Sequence, residues 1–305
     1  AFEFLTSVIM AFVAFKPYWK DFCFPSKADL KRLLKDLLSI SLGIYVVKII
    51  YTWWEKSGTL LLGLNLSPEM VAFFSFALLY GKKLLLVSDA VTTVNLPVLS
   101  KEYSNNLAEF KSLFMSNFNK LYALILGLGF GIIFWAREFF SILVGSPKYD
   151  PALPLVLPLV FAFVFYSFMN IIESSVLVPA KKVLNMIISF ALMLGVTVGF
   201  YFLFRFKMDP LVCMSYGVFL GGFVGFFLMV ILTKKELDFS VIQLNHILLL
   251  IQAISISLPF MLENLGFKFA LFLIFLLLYT KAVFLSGFIT KDQTKMIFQK
   301  AMGAF

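Results

Sequence analysis
Apolar residues run along the chain in nine blocks separated by short polar loops, roughly 1–15, 37–54, 70–99, 116–136, 151–178, 183–204, 210–232, 241–262 and 267–289. A helix needs about 17–25 largely apolar residues to cross roughly 30 Å of hydrocarbon. Most of the blocks are that long. The first is not: at about 1.5 Å per residue it extends only ~22 Å. No basic stretch precedes it, so it does not read as a signal peptide. The expectation is that the sequence starts inside a helix whose preceding part is missing. The pattern thus predicts an all-α protein of about nine transmembrane helices.

Lys and Arg alternate between the loops. The set 16–36, 100–111, 179–182, 233–240 and the tail from 290 holds fifteen, and the opposite set 55–69, 137–150, 205–209 and 263–268 holds six. The positive-inside rule therefore places the first set and the C-terminus in the cytoplasm. In the longest basic loop, Ser26 and Asp29 have capping-box spacing ahead of Leu30, Leu33, Leu34, Leu37 and Leu38. That spacing predicts an amphipathic helix leading into the second span, with Lys31, Arg32 and Lys35 at lipid phosphates. Gly217, Gly221 and Gly225, and separately Gly127 and Gly131, have the spacing of close helix contacts. Pro154, Pro158 and Pro259 mark places where a span can bend.

Composition agrees with the pattern. The 305 residues are 61% hydrophobic and 14% charged, with a mean hydropathy of +0.95. A soluble domain has about a quarter charged residues, so an integral membrane protein is expected. The net charge of +9 is accounted for by the basic loops, and no nucleic-acid partner is implied. Cys23 and Cys213 give no disulfide framework. There is one histidine, His246, and no HExxH, paired CxxC or phosphate-binding loop. No loop is long enough for a soluble catalytic domain, so the protein is not expected to be an enzyme and no cofactor is implied.

The candidate chemistry is the set of ionisable residues inside the spans, each costly in hydrocarbon without a partner or a watery cavity. Lys82 and Asp89 are seven apart and share a helix face that Thr92 and Thr93 continue. Lys83, Ser88 and Asn95 belong to the same polar span, and Lys48, Lys120 and Lys281 extend the cationic set. The preferred reading is a water-filled lumen with Lys48, Lys82, Lys83 and Thr92 as its lining; the alternative is an interhelical ion-pair contact. Asp89 and Glu173 are candidates for coupling to H+ or Na+, Glu173 being either protonated or paired with a lysine. His246 reads as a hydrogen-bonded residue near the inner end of its span. A lumen with more lysine than carboxylate favours an anionic solute. The aromatic rim Tyr45, Tyr51, Trp53 and Trp54 suits sugars and membrane interfaces alike.

Three stretches carry a family resemblance. Ser67-Pro68-Glu69-Met70 through Ser75, continuing to Asn95-Leu96-Pro97-Val98-Leu99-Ser100-Lys101, resembles the polysaccharide transporters (O-antigen flippases) of the multidrug/oligosaccharidyl-lipid/polysaccharide superfamily. Leu143-Val144-Gly145-Ser146-Pro147-Lys148-Tyr149-Asp150-Pro151-Ala152 is similar to an outer turn of that family. Val178-Pro179-Ala180-Lys181-Lys182 with Asn185 is similar to a cytoplasmic one. The resemblance covers about 30–240.

It implies two six-helix lobes around a central cavity, related as a parallel repeat. On that reading 1–15 is the last helix of a missing lobe, 16–36 a basic connector, 37–232 the six-helix C-terminal lobe and 233–305 an additional helix pair with a tail. The implied activity is flipping of an undecaprenyl-diphosphate-type lipid-linked oligosaccharide across the cytoplasmic membrane by alternating access. Its partners would be that substrate, membrane lipids and enzymes of glycan assembly. The alternatives are a multidrug or ion antiporter, or a lipid II flippase, of the same superfamily. A glycan-polymerising enzyme lacks a catalytic loop here, and a purely structural scaffold leaves the charges of the third span unexplained.

Overall fold
The computed structural model describes residues 27–144, 147–238, 240–257, 262 and 264–288, and every regular element among them is helical. The elements are α1 (Lys27–Gly63), α2 (Pro68–Lys82), α3 (Leu85–Asn105), α4 (Leu107–Phe134) and α5 (Ala136–Val144). A 3-10 turn (Pro147–Ala152), α6 (Leu153–Ile172) and a π-helical segment (Glu173–Leu177) come next. α7 (Val183–Phe204), α8 (Pro210–Leu237), α9 (Leu244–Ser257) and α10 (Leu265–Leu285) complete the chain. The described residues up to Leu42 belong to one unit, in which α1 begins, and those from Gly43 to a second, larger one. The predicted first span, the start of the basic connector with its Ser26 cap, and Pro259 lie outside the described residues.

Among the described residues, six segments are long and apolar enough to cross a membrane: Pro68–Asn105, Leu107–Phe134, Lys148–Leu177, Val183–Phe204, Pro210–Lys235 and Leu265–Leu285. Large apolar side chains such as Leu86, Val94, Leu203 and Leu277 remain exposed on the outside of the bundle. In lipid these surfaces need no covering. The chain is a multi-pass helical membrane protein.

Six of the nine expected blocks are thus seen as spans among the described residues. Of the three remaining blocks, 1–15 lies outside the described residues, 37–54 falls within α1, and α9 is described over 14 residues, fewer than an upright crossing needs. The loop expected at 100–111 is mostly helix. α3 continues through Pro97 to Asn105, and Asn106 then caps α4 by accepting from the amides of Ala108 and Glu109. Similar caps explain two other starts. Ser67 accepts from Met70 N ahead of Pro68 and Glu69, and Asp209 accepts from Leu211 N and Val212 N.

α6 is the hub. It packs against α2, α3, α4 and α8, and its residues are almost all buried. Aromatic contacts bind α1 to it: Trp54 lies 5.6 Å from both Phe163 and Tyr166, and its indole N–H donates to Thr197 Oγ1 of α7 at 3.1 Å. The Gly217, Gly221 and Gly225 stripe does bring α8 onto α7. A Cβ at Gly217 would stand 3.0 Å from Thr197 O, and one at Gly225 3.2 Å from Ser189 O. Gly127 and Gly131 behave differently. A Cβ at Gly127 would touch the Tyr279 ring, whereas one at Gly131 would meet nothing within 4 Å. That pair does not form the expected tight helix contact.

Candidate functional site
Four helices bring ionisable residues to one seam. α1 contributes Lys48, Tyr51 and Glu55, spaced i, i+3 and i+7 on one face. α6 and its π-helical extension contribute Tyr166, Asn170 and Glu173, at i, i+4 and i+7. Lys82 comes from the end of α2 and Asp89 from the first turns of α3.

The Lys82–Asp89 stretch is not one regular helix. Lys83 N and Leu84 N bond back three residues, to Tyr80 O and Gly81 O, and Leu86 N and Val87 N do the same. This short overwound joint sits beside Gly81, where a Cβ would stand 3.3 Å from Leu159 O of α6. Close approach of α2 to α6 at Gly81 therefore accompanies the joint that aims Lys82 at α1.

Lys82 Nζ donates to Glu55 Oε1 at 2.7 Å, and Lys56 Nζ is 3.4 Å from the same oxygen. Asn170 Nδ2 donates to Asp89 Oδ1 at 2.7 Å. Glu173 Oε1 lies 4.0 Å from Lys48 Nζ, while its buried Oε2 has no hydrogen-bond partner among the described residues. Tyr51 and Tyr166 stack at 4.5 Å between the two charge groups. Exposure is graded across the seam. The side chain of Lys48 is 53% exposed and that of Lys82 37%, against 10% for Glu55 and 4% for Glu173. Asp89 is exposed. The seam is therefore open along one side and closed where Glu173 sits against the hub.

Glu173 begins the π-helical segment. Val178 N reaches back five residues to Glu173 O at 2.9 Å, and Ser174 Oγ donates to Asn170 O at 2.7 Å. Such widened turns inside α-helices frequently mark functional positions. The segment leads into the basic turn that was expected, where Lys181 takes a left-handed φ of 57° and Lys182 N bonds to Leu177 O.

Of the residues proposed from sequence, Lys48, Lys82, Asp89 and Glu173 are brought together here. Lys83 is not; it lines a groove between α2, α4 and α10. Thr92 is buried, and its hydroxyl donates to Asp89 O, as does that of Thr93. Thr92 therefore has its donor already used within its own helix. The expected lysine excess is corrected. The seam contains the carboxylates Glu55, Asp89 and Glu173 against Lys48, Lys56 and Lys82, and Lys48 and Lys82 each face a carboxylate. Glu55 was missed because residues from 55 onward read as an outer loop, whereas α1 runs on to Gly63. The aromatic rim is also divided: Tyr45 and Trp53 are exposed, and Trp54 belongs to the core.

Two other polar sites have structural roles. Lys268 is fully buried, its Nζ 2.8 Å from both oxygens of Glu138 and over the rings of Phe134 and Trp135. His246 is also fully buried. Its Nδ1 accepts from Gln243 N at 3.1 Å and its Nε2 lies 3.0 Å from Asn119 Oδ1, so the proton belongs on Nε2. No group of three or more His, Cys, Asp or Glu suited to a metal ion occurs among the described residues. No family model, curated protein or solved structure matches the chain.

Proposed function
We propose that this chain is the C-terminal portion of a transporter in the cytoplasmic membrane that flips a lipid-linked oligosaccharide by alternating access. The observation that supports transport is the seam itself. Lys82 and Asp89 lie in a segment of membrane-spanning character, Lys48 and Glu55 face them from α1 with one side open, and charges in such a position favour a polar cavity over lipid. The oligosaccharide cargo rests on the motif resemblance. In this reading Lys48 and Lys82 meet the cargo's anionic groups by exchanging their carboxylate partners, and Asp89 and Glu173 carry the coupling ion.

One observation favours the second reading, an ion-coupled antiporter of the same superfamily. The seam is balanced in charge, and Glu173 Oε2 is buried with no partner among the described residues. A carboxyl oxygen in that state suits a proton or a small cation.

The test uses the full-length protein in its own cells with surface-glycan export as the readout. Lys48→Ala and Glu173→Gln are expected to reduce export at least ~10-fold, about 1.4 kcal/mol of lost stabilisation, with membrane insertion unchanged. Normal export by both variants would remove the seam from the mechanism. Normal glycan export together with lost resistance to cationic drugs would select the antiporter.

A further inference from the structure
A groove of about 900 Å³ lies between α2, α4 and α10, on a different side of α2 from the seam. Its wall is apolar over most of its length, from Phe76, Leu128, Trp135 and Phe272. Gly131 leaves its floor open, since a Cβ there would meet nothing within 4 Å. A cavity this large is at the upper end of what one small ligand fills.

Charge enters the groove at one place. Lys83 lines it, along with Ala123, Leu124, Tyr279 and Thr280. Lys120 stands one turn from Leu124 on the same face of α4, towards the end where the basic loops lie. Lys83 is exposed and Lys120 half-buried. Neither has an ion pair or side-chain hydrogen bond among the described residues, in contrast to Lys48, Lys82 and Lys268. A lysine left in hydrocarbon without a counter-ion is costly. An anion would supply such a partner, and the apolar wall suits one that carries hydrocarbon.

We propose that this groove is a binding site for an anionic glycerophospholipid of the cytoplasmic leaflet. One acyl chain lies over Gly131, and the phosphate group pairs with Lys83 and Lys120. A membrane lipid fits better than a soluble phosphate, because the groove offers an anion long apolar walls and only one cationic end. The lipid would act as a resident component that holds α10 against α4. The inference does not depend on the transport reading, since the seam and the groove share no residue.

The test reconstitutes the full-length protein in vesicles of equal parts phosphatidylglycerol and phosphatidylcholine, and native mass spectrometry then counts the lipids retained on extraction. The wild type should retain phosphatidylglycerol preferentially. That preference should fall about fivefold for each of Lys83→Ala and Lys120→Ala, and Lys83→Arg should keep it. Gly131→Leu, which has free space for its side chain, should lose one bound lipid of either kind. Equal retention of both lipids by the wild type, or an unchanged preference in the double alanine variant, would overturn the proposal. Displacement of phosphatidylglycerol by an equal amount of an isoprenyl phosphate would also overturn it, assigning the groove to cargo.

Discussion
At the scale of single residues, the membrane-embedded charges divide into closed and open pairs, and the two kinds should respond differently to substitution. Lys268 has both Glu138 oxygens at 2.8 Å and no exposed surface. Lys268→Ala leaves Glu138 without its counter-ion in a largely apolar setting, so a loss of about 3 kcal/mol is expected. Thermal melting in detergent checks this, and the Lys268→Ala/Glu138→Ala double variant should melt above the single one. The Lys82–Glu55 pair is more open, and solvent screens it. Its coupling energy in a double-mutant cycle of Lys82→Ala with Glu55→Ala should be about 1 kcal/mol. A coupling near zero would mean that water or Lys56 already replaces the partner.

At the scale of elements, small residues decide which helices touch. Gly221 faces Thr197 Oγ1 so closely that a Cβ there would overlap it, and the same Cβ would come 2.5 Å from Met193 O. Gly221→Ala should therefore force α8 from α7 at a cost of about 1–3 kcal/mol. A Cβ at Gly199 would meet nothing within 4 Å, so Gly199→Ala should not lower the melting temperature. Equal effects at the two positions would show that the α7–α8 contact does not set stability. The same geometry explains why spacing alone was an incomplete guide. Gly217, Gly221 and Gly225 are contact residues, but Gly127 and Gly131, with the same spacing, border a groove. Glycine spacing states that close approach is permitted, and only the position of the neighbouring helix decides whether it happens.

At the scale of the whole molecule, the seam should face water in the full-length protein, and the floor around α6 should not. In a variant lacking Cys23 and Cys213, Asp89→Cys and Lys48→Cys should react with a membrane-impermeant maleimide. Ser167→Cys, buried in the hub, should stay unlabelled until the protein is denatured. Protection of both seam cysteines in the folded state would favour an ion-pair contact covered by protein over an aqueous lumen. Either result also bears on Glu173, which exchanges ions with solvent only if water reaches Lys48 beside it.

The sequence by itself determined the solvent of this protein. Long apolar blocks with few charges have no stable arrangement in water, so the membrane class and the helical elements followed from composition and periodicity. It also located Lys48, Lys82, Asp89 and Glu173, because an ionisable residue inside an apolar block is conspicuous wherever it packs. What it could not determine was which of these charges meet. Lys82 and Lys83 are adjacent in sequence yet serve a seam and a groove on different sides of α2, because a helix turns about 100° per residue. Glu55 became the partner of Lys82 only because α1 extends past the apolar block that announced it. The pairing of charges depends on helix ends, on a joint near Gly81 and on three helices meeting at α6. Those are contacts between residues far apart in the chain, and no local pattern encodes them.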